Sequence, residues 1–381
     1  MAKLGMPTVV VKFIEAGIEA IQRSQRGIVA LILEDTKQVI DKLATKTNGH
    51  EVLPNPFLVY TVDDIPEELS DKNKDYILKA LKGYNKPPLK IVVYMMQQGG
   101  DKTGADRFQE PLKVMLTERF DYLAIPTIEN AQLEYVATWV KTARENKFKK
   151  IKVVLPGSNA DYEGVINFGN TKVFTADREY KPAEYTARIA GLVAGTNMTQ
   201  SATYAPLGEV IDCDRHTQDE MDTMVNEGKF FIWYDGEKFK MSRAMNSLVT
   251  TSQGKLEGYQ TIKIVDIMDM IYDDIRKTAQ DSYIGKYTND YENKCLLISA
   301  VLGYFKQLEN ERLLQKDYST CEIDCEAVRT YQLSHGLFTK EELAKMSDDE
   351  VKKLDTKKIV FLKAKARPLD AMEDIQLPIN I

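Results

Sequence analysis

A continuous apolar run at residues 27–33 constrains the fold of this chain more than any other feature. A strand with one solvated face has a polar residue at every second position. The run Gly-Ile-Val-Ala-Leu-Ile-Leu has no such residues. It therefore predicts a strand that is buried on both faces. Further strands are predicted at residues 90–96 and 150–155, and helical patterns of about 10–15 residues lie between predicted strands. This alternation predicts an α/β fold in which helices cover both faces of a mostly parallel sheet.

The pattern changes at about residue 242. Segments 246–251 and 261–265 are rich in β-branched residues and predict strands. The elements predicted after them are two long helices at about 266–281 and 290–312, helices near 324–334 and 340–353, and a strand at 359–366. The segment from about residue 242 onward therefore differs from the strand–helix alternation that precedes it.

The first of these long helices is rich in carboxylates. They are Asp266, Asp269, Asp273 and Asp274. We interpret them as a solvated helix face, whose earliest member is also favoured by the helix dipole.

Both chain ends have strand patterns. The N-terminal pattern is formed by Thr8, Val9, Val10, Val11, Lys12, Phe13 and Ile14. The C-terminal pattern has apolar side chains at every second position, namely Ile375, Leu377, Ile379 and Ile381. Pro378 indicates a strand at the edge of a sheet, because proline lacks the N–H that a central strand donates. These patterns alone leave open whether the ends pair with the subunit's own sheet or with sheets of neighbouring molecules.

Size and charge exclude several classes of protein. A chain of 381 residues predicts two or three domains. A net charge of −6 gives no reason to expect nucleic acid as a partner. No apolar run approaches the ~18–20 residues that cross a bilayer, so we expect no membrane insertion. The first seven residues lack the apolar core of a signal peptide, and we expect synthesis in the cytoplasm.

The sequence offers no convincing metal, cofactor or catalytic site. Cys321 and Cys325 are four residues apart, but no second pair or nearby histidine completes a tetrahedral set. Loop 97–104 lies where phosphate-binding loops lie, yet Asp101 stands before Lys102, where a P-loop requires glycine. Ser158 lacks the glycine spacing of a nucleophile elbow. The histidines are His50, His216 and His335, and none has the signature of a triad. We therefore expect a structural protein, with no catalytic residue, cofactor or metal.

Six segments, taken together and in order, resemble the tail sheath protein of contractile phage tails. They are Arg23–Leu33, Ala202–Tyr204, Asn246–Thr251, Asp269–Arg276, Tyr283–Asn289 and Ala371–Asp374. The resemblance spans nearly the whole chain, and it is strongest to sheaths of Gram-positive prophages and of phage-tail-like (R-type) bacteriocins.

The resemblance implies an architecture and a function. It implies an N-terminal arm at residues 1–22, an outer α/β domain at 23–241, an inner, tube-facing α+β domain at 242–358, and a C-terminal strand and arm at 359–381. In the family, subunits stack helically around an inner tube, and their arms add strands to inner-domain sheets of adjacent subunits. The implied partners are other copies of the chain, the inner tube protein, and the baseplate and tail terminator proteins, in a virion tail or a released particle. Contraction drives the tube through the target envelope.

Finer expectations concern hinges and the tube contact. We expect Gly17 and residues 15–22 on one side, and Pro368 to Glu373 on the other, to act as hinges during contraction. The family binds its tube largely through charged side chains. The basic candidates on the predicted last short helix are Lys340, Lys345, Lys352 and Lys353. An ordinary solvated helix face is the alternative interpretation of these lysines.

Two other classes of function remain open at this stage. An enzyme on a doubly wound sheet would have its site near residues 97–104 and 156–164, at the carboxyl ends of strands. A carbohydrate- or partner-binding module would need an exposed aromatic cluster. The two tryptophans, Trp139 and Trp233, lie instead in apolar helix and strand patterns.

Overall fold

The computed structural model describes residues 20–44, 54–99 and 103–380. These residues form two compact units. One contains the described residues of 23–273 together with 368–380, and the other contains residues 20–22 and 274–367. The chain thus passes between the units at residues 22–23, 273–274 and 367–368.

The larger unit is built on a mostly parallel sheet. Its strands are β1 (Ile28–Asp35), β2 (Phe57–Val59), β3 (Lys90–Gln97), β4 (Tyr122–Ala124), β5 (Lys152–Pro156), β6 (Val165–Phe168) and β10 (Lys229–Phe230). Within the described residues the strand order is β10-β6-β5-β4-β1-β3-β2, and only β2 is antiparallel to its neighbour. The predicted parallel sheet is confirmed.

Smaller sheets and seven helices complete the described part of this unit. The remaining strands are β7 (Val173–Thr175), β8 (Glu179–Tyr180), β9 (Val210–Cys213), β11 (Ile232–Tyr234) and β12 (Phe239–Met241). The helices are α1 (Lys37–Ala44), α2 (Asp71–Leu81), α3 (Gln109–Met115), α4 (Leu133–Asn146), α5 (Pro182–Ala194), α6 (Gln218–Asn226) and α7 (Ile262–Thr278), whose last residues belong to the other unit. Strands β11 and β12 form the hairpin that the Asp235-Gly236 turn predicts.

The apolar run of β1 divides between two cores because side chains of a strand alternate between its faces. One core contains Val29, Leu31 and Leu33 with residues of α2 and α5. The other contains Ile28, Ala30 and Ile32 with residues of α3 and α4. Both faces of the sheet are therefore covered, as the continuous run predicts.

Helices α2 and α5 approach each other closely at Gly191. A Cβ atom at this position would overlap the carbonyl group of Ala80 in α2. Helix α5 is buried at every position from Glu184 to Ala194, so it has no free side toward which it could shift. Glycine is required here by the distance between two backbones.

The smaller unit contains α8 (Tyr291–Asn310), α9 (Cys325–Ser334), α10 (Lys340–Lys345), α11 (Asp348–Val351), β13 (Thr320–Ile323) and β14 (Leu362–Lys365). Asp290 caps α8 by accepting a hydrogen bond from the backbone N–H of Asn293 (2.8 Å). The predicted helix at 340–353 is two helices, because Ser347 and Glu350 form a capping box that starts a new one. Within the described residues, no helix is long and apolar enough to cross a membrane.

Two sequence predictions around residue 250 are wrong. Residues 262–265, predicted as a strand, form the first turn of α7, because a buried apolar helix face outweighs the weak β preference of isoleucine and valine. Segment 246–251 contains no strand. There the Asn246 side chain accepts a hydrogen bond from the backbone N–H of Leu248 (3.0 Å), a local bond that competes with strand pairing.

Candidate functional site

The C-terminal segment is the most exposed apolar feature among the described residues of the larger unit. Residues 371–380 form neither helix nor strand. Ile375, Leu377 and Ile379 are 83%, 75% and 75% exposed. Contiguous apolar exposure of this kind is typical of a surface that binds a partner.

The segment is held to the unit immediately before these residues. The carboxylate of Glu373 accepts hydrogen bonds from the hydroxyls of Ser201 (3.0 Å) and Thr203 (2.6 Å). Its second oxygen lies 3.4 Å from Nε of Arg243, whose Nη2 also donates to Asp374 (2.5 Å). The Glu373 side chain is 14% exposed, whereas that of Asp374 is 74% exposed. We call Ser201, Thr203, Arg243, Glu373 and Asp374 the tail anchor.

Local structure fixes the receiving side of the tail anchor. Ser201 and Thr203 lie in the loop between α5 and β9, and the Ser201 hydroxyl accepts a hydrogen bond from the Thr203 backbone N–H (3.1 Å). The Thr203 hydroxyl also accepts a hydrogen bond from the backbone N–H of Ala244 (2.8 Å). The hydrogen bond with Asp374 raises the pKa of the Arg243 guanidinium, and Arg243 lowers the pKa of the Asp374 carboxyl. Arg243 and Asp374 are thus both ionised at neutral pH.

A groove of about 680 Å³ lies beside residues 370–374. Its other walls include Arg243, Leu248 and Val249. The groove leaves room beside the anchored segment for another chain.

The smaller unit offers a second assembly feature, the antiparallel pair β13–β14. Among the described residues, each of these strands has the other as its only strand partner. The outer edge of each therefore presents backbone N–H and C=O groups to which a further strand can bond. Lys363 and Lys365 of β14 are exposed, and Lys363 pairs across the strands with Glu322 (3.3 Å). Edge lysines of this kind limit indiscriminate strand pairing.

A cluster of buried charges joins α7 to the amino ends of the parallel strands. Arg144 donates two hydrogen bonds to Asp269, each of 2.9 Å. Lys152 Nζ lies 2.8 Å from Asp269 and 2.9 Å from Asp266, which also accepts a hydrogen bond from the Tyr122 hydroxyl (2.5 Å). A second part of the cluster is Arg26, which pairs with Asp121 and Asp273, each at 2.8 Å.

The cluster neutralises its own charges. Burial raises the pKa of Asp269, but Lys152 and Arg144 outweigh burial and hold that pKa at about 2. Burial also raises the pKa of Asp266, and Lys152 offsets only part of this effect. Because the cations already have anionic partners, the arrangement suits a structural role rather than catalysis.

This cluster corrects one sequence interpretation. Asp269 and Asp274 are 3% and 0% exposed, so they do not belong to a solvated helix face. The helix sequence alone cannot reveal this, because a carboxylate on an amphipathic helix has the same sequence pattern whether its partner is water or a cation distant in the chain. A lysine at position 152, inside an otherwise apolar strand run, was the available signal.

The comparisons with known proteins agree with this architecture. Residues 101–247 match the family described as phage tail sheath protein central domain, and residues 255–381 match the phage tail sheath C-terminal domain. The tail sheath protein of Clostridium phage phiCD119 is 32% identical over 382 residues, which cover 99% of this chain and 99% of that protein. The chain belongs to the phage tail sheath protein family. The resemblance inferred from six segments is confirmed.

Solved sheath proteins share the fold of this tail sheath protein. The sheath tail protein of Desulfitobacterium hafniense has a TM-score of 0.67 at 18% identity, over 83% of this chain and 94% of that one. The helical sheath of the anti-feeding prophage in its contracted state has a TM-score of 0.68 at 11% identity, over 99% of each chain. At these identities the likeness concerns the fold, a mixed α/β architecture with a mostly parallel sheet. The family assigns the chain a structural role, and nothing favours the alternative of a metabolic enzyme.

Several predicted site residues of the sheath protein lie outside the described residues. They are Thr8, Val9, Val10, Val11, Lys12, Phe13, Ile14, Gly17 and Ile381. Pro368 is described, and it is the first residue of the C-terminal segment that belongs to the larger unit.

The predicted tube-contact lysines lie on α10 and in the turn that follows α11, among acidic residues. Lys340 and Lys345 are exposed on α10, next to Glu341. Lys352 pairs with Asp349 (3.0 Å), and Lys353 Nζ lies 5.8 Å from the ring centre of Tyr291. These contacts do not form a purely basic patch, and the tube contact stays a prediction.

Three described residues in or beside the segments considered for catalysis make structural contacts. Arg107, beside the loop at 97–104, forms an ion pair with Glu34, which also accepts a hydrogen bond from Thr127 (2.6 Å). Ser158 is buried, and its backbone N–H donates to Asn167 Oδ1 (2.9 Å). His335 stacks on Tyr331 with ring centres 4.0 Å apart. In the described parts of the chain, no group of three His, Cys, Asp or Glu side chains could hold a metal ion.

Proposed function

We propose that this chain is the sheath subunit that polymerises helically around an inner tube and contracts to drive that tube through a target envelope. The observation that carries the proposal is the C-terminal segment, which is tied down at Glu373 and then exposes Ile375, Leu377 and Ile379 on alternate positions. In a chain of the sheath family, exposed apolar residues at strand spacing call for a partner molecule. That partner is another copy of the same chain.

The subunits join by strand addition. The C-terminal strand at 375–381 and the N-terminal strand at 8–14 pair with inner-domain sheets of adjacent subunits, and the pair β13–β14 has edges suited to receive them. Main-chain hydrogen bonds supply the affinity, and alternate apolar side chains enter pockets of the neighbour. Since such contacts run head to tail and do not close on themselves, the array lengthens as an open helix.

Contraction rotates domains while the strand pairs persist. We assign residues 23–241 to an outer domain, 242–358 to the tube-facing domain, and the hinges to Gly17 and Pro368. The compact units meet along the chain at 367–368, which supports a hinge at Pro368. Proline restricts the backbone conformations at one hinge, and glycine widens them at the other. The bending is therefore confined to few residues.

The particle defines the other partners. The tube protein binds the inner domain, and the candidate contacts are Lys340, Lys345, Lys352 and Lys353. The baseplate and tail terminator proteins contact the two ends of the sheath. The subunit is made in the host cytoplasm and acts in a virion tail or a released particle. It performs no catalytic step and requires no cofactor, nucleic acid or membrane insertion.

Electron microscopy and sedimentation of the expressed full chain, with and without its tube protein, test the proposal. Wild-type protein forms tubular particles, whereas deletion of residues 1–14 or of 375–381 leaves a folded subunit that does not assemble. Circular dichroism and the melting temperature report whether each truncated subunit is folded. Tubes formed by either truncated protein would contradict strand exchange through that arm.

A matched pair of variants tests the strand geometry. Aspartate at the apolar positions abolishes assembly, whereas aspartate on the opposite face leaves it within about twofold of wild type, since strand faces alternate. The two variants are I375D/L377D/I379D and Q376D/N380D. Equal loss of assembly in both would show that the tail does not bind as a strand.

A further inference from the structure

We infer that Glu373 is a positioning residue for assembly, which fixes the point and direction at which the C-terminal arm leaves its own subunit. This inference rests on the proposed strand exchange and adds a residue-level requirement to it. The expected hinge covers Pro368 to Glu373, so the anchor places a fixed point at its far end and leaves residues 375–381 as the free arm.

Glu373 differs in burial from the residues next to it in the chain. Its side chain is mostly buried and has three side-chain partners, while Met372, just before it, is 94% exposed and Ile375, two residues later, is 83% exposed. A chain end that nothing holds becomes gradually less ordered toward its terminus. Here the Glu373 carboxylate is held from two sides, and the free arm begins shortly after this residue.

The groups of the tail anchor are chemically suited to hold the segment firmly. A carboxylate that accepts hydrogen bonds from two hydroxyls and faces a guanidinium is held by charge-assisted bonds, which are stronger than neutral ones. The receiving residues come from two separate loops, at 201–203 and at 243. The anchor therefore fixes the orientation of the segment as well as its position.

The tail anchor also raises the effective concentration of the arm at the neighbouring sheet. A seven-residue arm that starts from a fixed point samples a small volume, and its apolar residues meet the neighbouring sheet far more often than those of a longer loose chain. Releasing Glu373 lengthens the free chain by the residues back to the hinge at Pro368. The arm keeps its own contacts with the neighbour, but the entropic cost of ordering it rises.

The test compares three full-length proteins by sedimentation over a concentration series. Glu373→Ala raises the concentration for half-assembly about tenfold or more, because it removes a charged hydrogen-bond acceptor with several partners. Glu110→Ala is the control. It removes a carboxylate of α3 that lies outside the tail anchor, the hinge and the groove, where it faces the solvated Lys113 (3.8 Å), and it assembles like wild type. Hydrogen exchange of the unassembled subunit is expected to be faster at the Thr203 and Ala244 backbone N–H groups in Glu373→Ala only, because these groups donate to the hydroxyls that hold Glu373.

Charge exchange separates positioning from general stability. Arg243→Glu places a carboxylate beside Glu373 and Asp374 and weakens assembly as Glu373→Ala does. The double variant R243E/E373R restores opposite charges and recovers most of the assembly. A merely structural loss would not be rescued in this way. Failure of the double variant to recover any assembly would overturn the ion pair as part of the anchor.

The outcomes for the inference and for the proposed function are distinguishable. If deletion of residues 375–381 prevents assembly while Glu373→Ala assembles at the wild-type concentration, strand exchange stands and the positioning role is wrong. If the deletion itself assembles normally, the proposed function fails, and the anchor has no arm to position.

Discussion

Arg144 and Asp269 form a two-point ion pair inside the larger unit, with both nitrogen–oxygen distances at 2.9 Å. The pair joins α4 to α7, elements that are far apart in the sequence, and Lys152 shares the same carboxylate. Breaking a buried pair by removing one partner costs far more than breaking a solvated one, because the remaining charge has no water to compensate it.

Asp269→Asn is therefore expected to lower the free energy of unfolding of this unit by about 3–5 kcal/mol. Arg144 and Lys152 stay buried in the variant with one anion fewer. Urea unfolding followed by tryptophan fluorescence measures the loss. The control is Glu110→Gln, which removes a solvated partner of Lys113 (3.8 Å) and should cost less than about 1 kcal/mol. Equal effects of both substitutions would contradict a buried, mutually neutralised cluster.

The pKa values of two carboxyls predict acid sensitivity. The pKa of Asp269 is about 2, below its ordinary value of 3.8. Burial raises the pKa of Glu209, but Arg188 outweighs burial and holds the pKa of Glu209 at about 2 instead of 4.5. A group whose pKa is lower in the folded state stabilises the fold above its unfolded pKa, and this contribution is lost as the pH falls through the folded value. The pKa of Asp266 is raised in the folded state, so its effect on the unfolding free energy as the pH falls has the opposite sign.

The unfolding free energy should thus decrease by about 2 kcal/mol or more for each of the first two groups between pH 5 and pH 2. Urea titrations at a series of pH values measure this slope. In Asp269→Asn the slope should be shallower than in wild type, and an unchanged slope would show that another group governs acid unfolding.

Two helical glycines should respond in opposite ways to alanine. Gly191→Ala brings a methyl group against the carbonyl of Ala80, and we expect a loss of about 2–3 kcal/mol from overpacking. Gly303→Ala in α8 meets nothing within 4 Å and should gain about 0.5–1 kcal/mol from helix propensity. Thermal unfolding distinguishes the two, and a stable Gly191→Ala variant would contradict the close packing of α2 on α5.

Thiol reactivity should separate the cysteines. Cys213, Cys321 and Cys325 are buried, and burial raises the pKa of each, that of Cys213 to about 12. Cys295 is only partly buried. At pH 8 a disulfide reagent such as DTNB should label Cys295 first in the native protein and all four cysteines in denaturant, since the thiolate is the reactive form. Cys295→Ser should remove the fast phase, and a fast phase that persists would place a buried thiol at the surface.

The sequence predicts the parallel sheet well because the evidence for it is local. A strand such as 28–33 that contributes to two cores must be apolar throughout, and this requirement is visible without any partner. The same locality explains the failure at 262–265. Isoleucine and valine favour strands only weakly, and the residues that pack against this segment and make it helical are distant in the sequence.

The assembly features were predictable to different degrees. The alternating residues from Ile375 onward are visible in the sequence, as is Pro378 within them. The tail anchor is not, because Ser201, Thr203 and Arg243 meet Glu373 from across ~130–170 positions of chain, and hydroxyls and charges in loops have no periodicity to detect.

Pro378 has a consequence for the stoichiometry of assembly. In an extended segment, backbone N–H groups point alternately to opposite sides, so those of residues 375, 377 and 379 form one row and those of 376 and 380 flank the missing donor at 378. In the proposed assembly, such a tail would bond fully along one side only. It would join one neighbour as a terminal strand without templating a further one, so that each tail is used once and growth follows the lattice instead of continuing as an amyloid-like stack.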